Sequence, residues 1–220
     1  MLLTANRRLD IPVLVVYMLL LIASGVLINF AGGPSLRHAL PNPYVLALMD
    51  WGWSILIRIV LPVLYIIYLN RANPFDYLKL TKHIRKGLLW ALAGGLLFGA
   101  GISYRHFALG DPIHLPTGSI WYNLILTVGF MEEIPLRGLV FQKLDEYLRF
   151  WPATVLSSLV FMVMHFPSWI AQGQPSTYFL ATGFYVLVFA CIMCVILKRS
   201  GSLWGCILIH SMNDFVSVLW

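Results

Sequence analysis

The chain has 220 residues, 60% of them hydrophobic and 11% charged, with a mean hydropathy of +0.81. That much apolar material excludes an ordinary soluble domain and implies an all-α, polytopic transmembrane helix bundle. The net charge of +6 does not imply a nucleic-acid partner, because the basic residues fall in short connectors between apolar runs, where membrane proteins record their orientation.

In chain order, the apolar runs predict about seven spans: residues 11–31, 44–69, 87–104, 119–140, 152–170, 178–197 and 203–220. The first is too long for the core of a signal peptide and reads as a retained helix, although Arg7 and Arg8 precede it. The third carries Gly94, Gly95, Gly99 and Gly101, which suit close helix packing in lipid. The connector from Asn70 to Lys86 reads as a solvated loop with an amphipathic surface turn. Cys191, Cys194 and Cys206 all lie in apolar segments, so they imply no disulfide framework.

With the amino terminus in the cytoplasm, the inner side receives Arg7, Arg8, Arg71, Lys79, Lys82, Arg85, Lys86, Lys143, Arg149, Lys198 and Arg199. The outer side receives Arg37 and Arg105. This inside-positive bias holds through all the spans and predicts a cell-membrane, multi-pass protein with its carboxyl terminus outside.

A few ionisable residues remain inside the predicted spans: Arg58, Glu132, Glu133, Arg137, His165, His210 and Asp214. Asp50 sits near an outer edge and reads as interfacial. A charge at the centre of a span costs about 2.5–3.5 kcal/mol on insertion scales, so such residues face a bundle interior or a water-filled cavity. Glu133 and Arg137 are four apart, with the glutamate nearer the amino end, the favourable order for an intrahelical ion pair. Glu132 is rotated by about 100° from its neighbour and is left over by that pairing. Pro135 denies the Met131 carbonyl its helical partner, so a kink is expected beside the spare carboxylate. Phe161 and His165 share a helix face, as do His210 and Asp214.

A carboxylate and an imidazole that converge on one water supply a general base. A second imidazole can donate to the oxyanion formed when that water attacks an amide. The pattern therefore suits peptide hydrolysis without a covalent intermediate. A zinc protease of the H-E-x-x-H type is absent, since no glutamate follows a histidine here. Ser211 adjoins His210 but points away from it, and Asp214 is the lone aspartate at a span centre, which disfavours serine and aspartyl chemistries.

Glu132-Glu133-x-x-x-Arg137, Phe161-x-x-x-His165 and His210-x-x-x-Asp214 together resemble the three ordered motifs of the CAAX protease and bacteriocin-processing family. Its members are glutamate-type intramembrane endopeptidases, type II CAAX prenyl proteases and bacterial immunity proteins among them. The resemblance covers residues 119–220 as a catalytic helical core, whereas residues 1–118 offer membrane spans without a recognisable motif. It implies Glu132 as the base, His165 as a partner in positioning water, and His210 with Asp214 on the oxyanion side. Glu133, Arg137 and Phe161 would support the site's shape.

The family's last motif position is often Asn, and here it is Asp214. An ionised aspartate cannot donate to an oxyanion, so Asp214 is protonated, orients His210 or helps to bind a metal. No cofactor is expected; the alternative is zinc held by Glu132, His165, His210 and Asp214. The implied partners are a peptide or membrane-protein substrate and the bilayer. Two other functions compete: a non-catalytic immunity or scaffold protein of the same fold, and a proton-coupled transporter.

Overall fold

The computed structural model describes residues 7–31, 51–115 and 127–219, and every regular element in them is helical. Five of the helices among these residues are long and apolar enough to cross a membrane. They are α1 (Leu9–Phe30), α2 (Trp51–Asn70), α3 (Ile84–Leu109), the combined stretch Phe150–Ala171, and α7 (Ser176–Ser200). The helix α4 comprises residues 129–147, and the first part of the predicted fourth span lies outside the described residues. So do Asp50, Arg37 and the start of the predicted second span. The last helix, α8 (Leu203–Val218), has 16 residues.

The fifth predicted span differs from expectation. It consists of α5 (Phe150–Val163) and a short helix, α6 (Phe166–Ala171), and His165 stands at the break between them. Pro167 in the first turn of α6 lacks an N–H, which favours a new helix start over continuation of the old one.

The outward faces are apolar. Leu97 is 73% exposed and Phe107 is 79% exposed on α3, an arrangement that water would penalise and lipid tails match. Inward, α3 lies along α8. A methyl group on Gly94 would come within 2.5 Å of Ile209 Cδ1, and one on Gly95 would collide with Met212 Sδ. Small residues therefore bring the two backbones together. Gly101 has no neighbour within 4 Å and takes no part in this stripe.

At one end of the bundle, the 70–83 connector is packed rather than merely solvated. Leu78 is buried, Gln142 Nε2 donates to the Tyr77 carbonyl at 2.9 Å, and Trp204 Nε1 donates to the Leu80 carbonyl at 2.8 Å. Burial and the repulsion of Lys198 lower the Lys79 pKa in this connector. Beside it, Asp10 of α1 accepts from Lys143 Nζ at 3.0 Å and Tyr147 Oη at 2.8 Å, both on α4. Tyr65 Oη of α2 donates to the Asp10 carbonyl at 2.9 Å. These bonds tie the first two helices to the rest.

Candidate active site

The site is built on α4. Gly129 lets this helix approach α8, since a Cβ there would lie 2.6 Å from the Ile207 carbonyl oxygen. Following Glu133, the backbone widens into a π-helical stretch, Ile134–Phe141, with Pro135 in its first turn. The missing N–H at Pro135 is thus absorbed by a shift to wider hydrogen-bond spacing. A second π-helical turn, Leu56–Val60, carries Arg58 on α2. Tyr17 of α1 supports it by donating to the Ile57 carbonyl at 3.1 Å.

Glu133 and Arg137 are sealed, with side chains 0% and 1% exposed, and Arg137 Nη1 lies 3.1 Å from Glu133 Oε1. The guanidinium also sits 4.2 Å above the Phe161 ring, a desolvated cation–π contact. That ring stands edge-on to both imidazoles, 4.8 Å from His165 and 5.8 Å from His210. Phe161 therefore sets the spacing of three of the polar groups at once.

The two histidines are fixed in the same sense. His165 Nδ1 lies 2.7 Å from the Phe161 carbonyl oxygen, which can only accept, so Nδ1 carries the proton. His210 Nδ1 lies 2.7 Å from Glu133 Oε1, and the same reasoning puts a proton there. Both Nε2 atoms are thereby presented to Glu132: that of His165 is 3.7 Å from Oε2, and that of His210 is 3.9 Å. These separations are too long for direct hydrogen bonds and are short enough for one shared water.

The reading of Glu132 as an unpaired acid is corrected by α2. Arg58 Nη1 donates to Glu132 Oε1 at 3.2 Å. The other oxygen, Oε2, is buried and takes no hydrogen bond among the described residues. The carboxylate is thus split, with one oxygen tied to a cation and the other facing two imidazoles. Arg58 was visible in the sequence as a charge within a span, but its partner lies 74 positions away, and no spacing rule reaches that far.

Asp214 lies 3.7 Å from His210 Nε2 and accepts from Asn213 Nδ2 at 3.1 Å. Glu133, rather than Asp214, makes the close contact that orients the His210 ring. Asn213 also accepts from the Tyr185 hydroxyl of α7, a contact without any sequence signal. Ser211 Oγ is buried without a hydrogen-bond partner among the described residues.

The donor set Glu132, His165, His210 and Asp214 has the chemistry of a zinc site. No group of three or more His, Cys, Asp or Glu among the described residues has metal-holding geometry. In addition, the Arg58 guanidinium stands on Glu132, where its charge would repel a divalent ion. Cys191, Cys194 and Cys206 are free thiols.

A helix bundle for lipid, with an acid and two imidazoles gathered in its interior, belongs among the membrane-embedded proteins that keep ionisable groups for function. Residues 114–216 match the family model described as type II CAAX prenyl endopeptidase Rce1-like. That stretch is similar to the CAAX-type protease family, and all three motifs fall within it. At family level this likeness supports a CAAX-type intramembrane endopeptidase with a peptide substrate and a surrounding bilayer. No curated protein and no solved structure matches the chain.

Proposed function

We propose that the protein cleaves a peptide bond within the membrane by a water that Glu132 activates, without a metal and without a covalent intermediate. The observation that carries this reading is the split environment of Glu132. Arg58 holds Oε1, while Oε2 faces the Nε2 atoms of His165 and His210 across a gap suited to one water.

In this mechanism the water gives one hydrogen bond to Glu132 Oε2 and the other to His165 Nε2, whose lone pair is free because Nδ1 holds the proton. The water's own lone pair then faces the substrate carbonyl. Glu132 takes the proton as the oxygen attacks. The negative charge that develops on the carbonyl oxygen meets His210, which between Glu133 and Asp214 carries a proton on each ring nitrogen and, as an imidazolium, donates from Nε2. The proton on Glu132 then passes to the departing amine, and the carboxylate is regenerated. Glu133, Arg137 and Phe161 act through the position of His210 and His165 and do not touch the reacting atoms.

The catalytic core lies in residues 119–220, and Arg58 is a contribution from the earlier spans. The excess of basic residues in the 70–86 connector and at the end of α7 supports a cytoplasmic amino terminus in the cell membrane. The substrate is a membrane-associated peptide, either a CAAX-type carboxyl terminus or a leader peptide of the bacteriocin-related kind.

The test is hydrolysis of a peptide library by the purified full chain in detergent, with Glu132→Ala beside the wild type and with chelator added to both. Cleavage that is lost in the variant and indifferent to chelator supports the reading. Equal cleavage by both proteins excludes Glu132 as the base. Should the wild type cleave nothing while Glu132→Ala preserves its effect in cells, the protein acts by contact, as an immunity or scaffold protein would.

A further inference from the structure

The histidine of the last helix is braced from behind by α7. Tyr185 and Phe189 are four residues apart on α7 and share a face. Their rings stack with centroids 6.2 Å apart, and the Phe189 ring stands edge-on to the His210 imidazole at 5.3 Å. Tyr185 is 41% exposed, yet its hydroxyl turns inward and donates to Asn213 Oδ1 on α8. The other end of that amide, Nδ2, donates to Asp214 Oδ1 at 3.1 Å.

Asp214 stands at a sensitive point. Its second oxygen, Oδ2, lies 3.7 Å from His210 Nε2, too far for a hydrogen bond. In the mechanism above, the developing oxyanion needs the N–H at Nε2. The two residues are four apart on α8, so a small rotation of the Asp214 side chain closes the gap. An approach of less than about 1 Å would let the carboxylate take that N–H in a charge-assisted bond. Two acceptors therefore compete for one donor, and the hydrogen bond from Asn213 pulls Asp214 the other way.

An amide has a donor end and an acceptor end. A carboxylate at position 214 requires the donor end, which leaves Oδ1 pointing at Tyr185, and the tyrosine hydroxyl completes the arrangement. Asn213 is 7% exposed. Without the hydroxyl, Oδ1 loses its donor where little water reaches, and the amide is no longer held in this orientation.

We propose that Tyr185 is a positioning residue: through Asn213 it tethers Asp214 and keeps the Nε2–H of His210 open for the oxyanion. This rests on the hydrolase reading above and deepens it. It also accounts for a carboxylate on the oxyanion side. Held back by one hydrogen bond, Asp214 lends its charge to the imidazolium without capping it. Neither Tyr185 nor Asn213 is a defining residue of the three motifs.

The experiment follows peptide hydrolysis by the full chain in detergent, together with magnetic resonance of protein carrying isotope-labelled histidine. A His210→Gln spectrum assigns the His210 Nε2–H signal. Tyr185→Phe should lower kcat by about three- to tenfold, the size of one hydrogen bond. KM should stay unchanged, because Tyr185 does not touch the substrate. In an Asp214→Asn background the same substitution should cost less than about twofold, since no charged competitor is left to release. A packing role would give equal losses in both backgrounds. In the spectrum, Tyr185→Phe should move the His210 signal downfield, as a stronger hydrogen bond does, and adding Asp214→Asn should cancel the move. Asn213→Ala should reproduce both effects.

The inference is overturned if Tyr185→Phe turns over at the wild-type rate, if its loss is the same in both backgrounds, or if the His210 signal stays in place. Should the wild type cleave nothing, the hydrolase reading fails and the signal alone decides the tether. Should Tyr185→Phe fail to fold, Asn213→Ala decides it.

Discussion

Two clusters of charge are built into this bundle, and they are finished differently. Near the end of α4, Asp10, Lys143, Glu146, Tyr65, Tyr77 and Tyr147 form a group in which each carboxylate oxygen has a donor. Asp10 Oδ2 takes Lys143 and Tyr147, Asp10 Oδ1 takes Tyr65 at 3.4 Å, and Glu146 takes Lys143 and Tyr77. Near the middle of the bundle, Glu132 Oε2 and Glu133 Oε2 have no hydrogen-bond partner among the described residues. One cluster is closed; in the other, Glu132, Glu133 and Arg137 keep atoms without a hydrogen bond among the described residues, and one of these, Glu132 Oε2, faces two imidazoles. Complete satisfaction suits a clasp between helices, and an open carboxylate oxygen is what the proposed base requires.

Substitutions should separate the two kinds. The largest expected effect is on rate: Glu132→Gln should lower hydrolysis by about 10²–10⁴, the usual range for a general base. Its thermal unfolding in detergent should stay close to the wild type. Equal loss of activity and folded protein would place Glu132 with the clasp instead. Arg137→Ala comes next, because it strands Glu133 in the interior. Removing one partner of a buried pair costs about 3–5 kcal/mol, to be read from unfolding midpoints and folded yield. A variant with normal yield and turnover would contradict the pairing.

Lys143→Met should have a smaller effect, because Tyr147 and Tyr65 still serve Asp10 when the ammonium is gone. About 1–3 kcal/mol of stability should be lost, the cost of a buried group left partly unsatisfied. Turnover per folded molecule should remain that of the wild type, and a fall in turnover would show that the clasp also shapes the site. The smallest expected effect is that of a chelator, which should leave hydrolysis unchanged. Loss of activity that zinc restores would overturn the metal-free reading.

Much of the site was legible because intramembrane charge is costly and therefore conspicuous. Glu132, His165 and His210 stood out as polar residues in apolar runs, and the structure gathers them around one point. The Glu133–Arg137 pair is a local, four-residue relation, which helical geometry alone predicts. The contact of His210 with Glu133 was not legible, because the two residues are 77 positions apart. Nor was the break at His165, since the apolar run continues across it and Pro167 offers only a weak signal for interruption.

By itself, the sequence determined the class of molecule, the helical periodicity and which residues are too polar to face lipid. The reason is that transfer into a bilayer acts on each segment separately. Only the tertiary structure decided which charges answer one another. Arg58 meets Glu132 because α2 packs against α4, and a hydrogen bond between helices depends on their approach and rotation. Close packing of many side chains sets those two quantities, and no short stretch of sequence contains them.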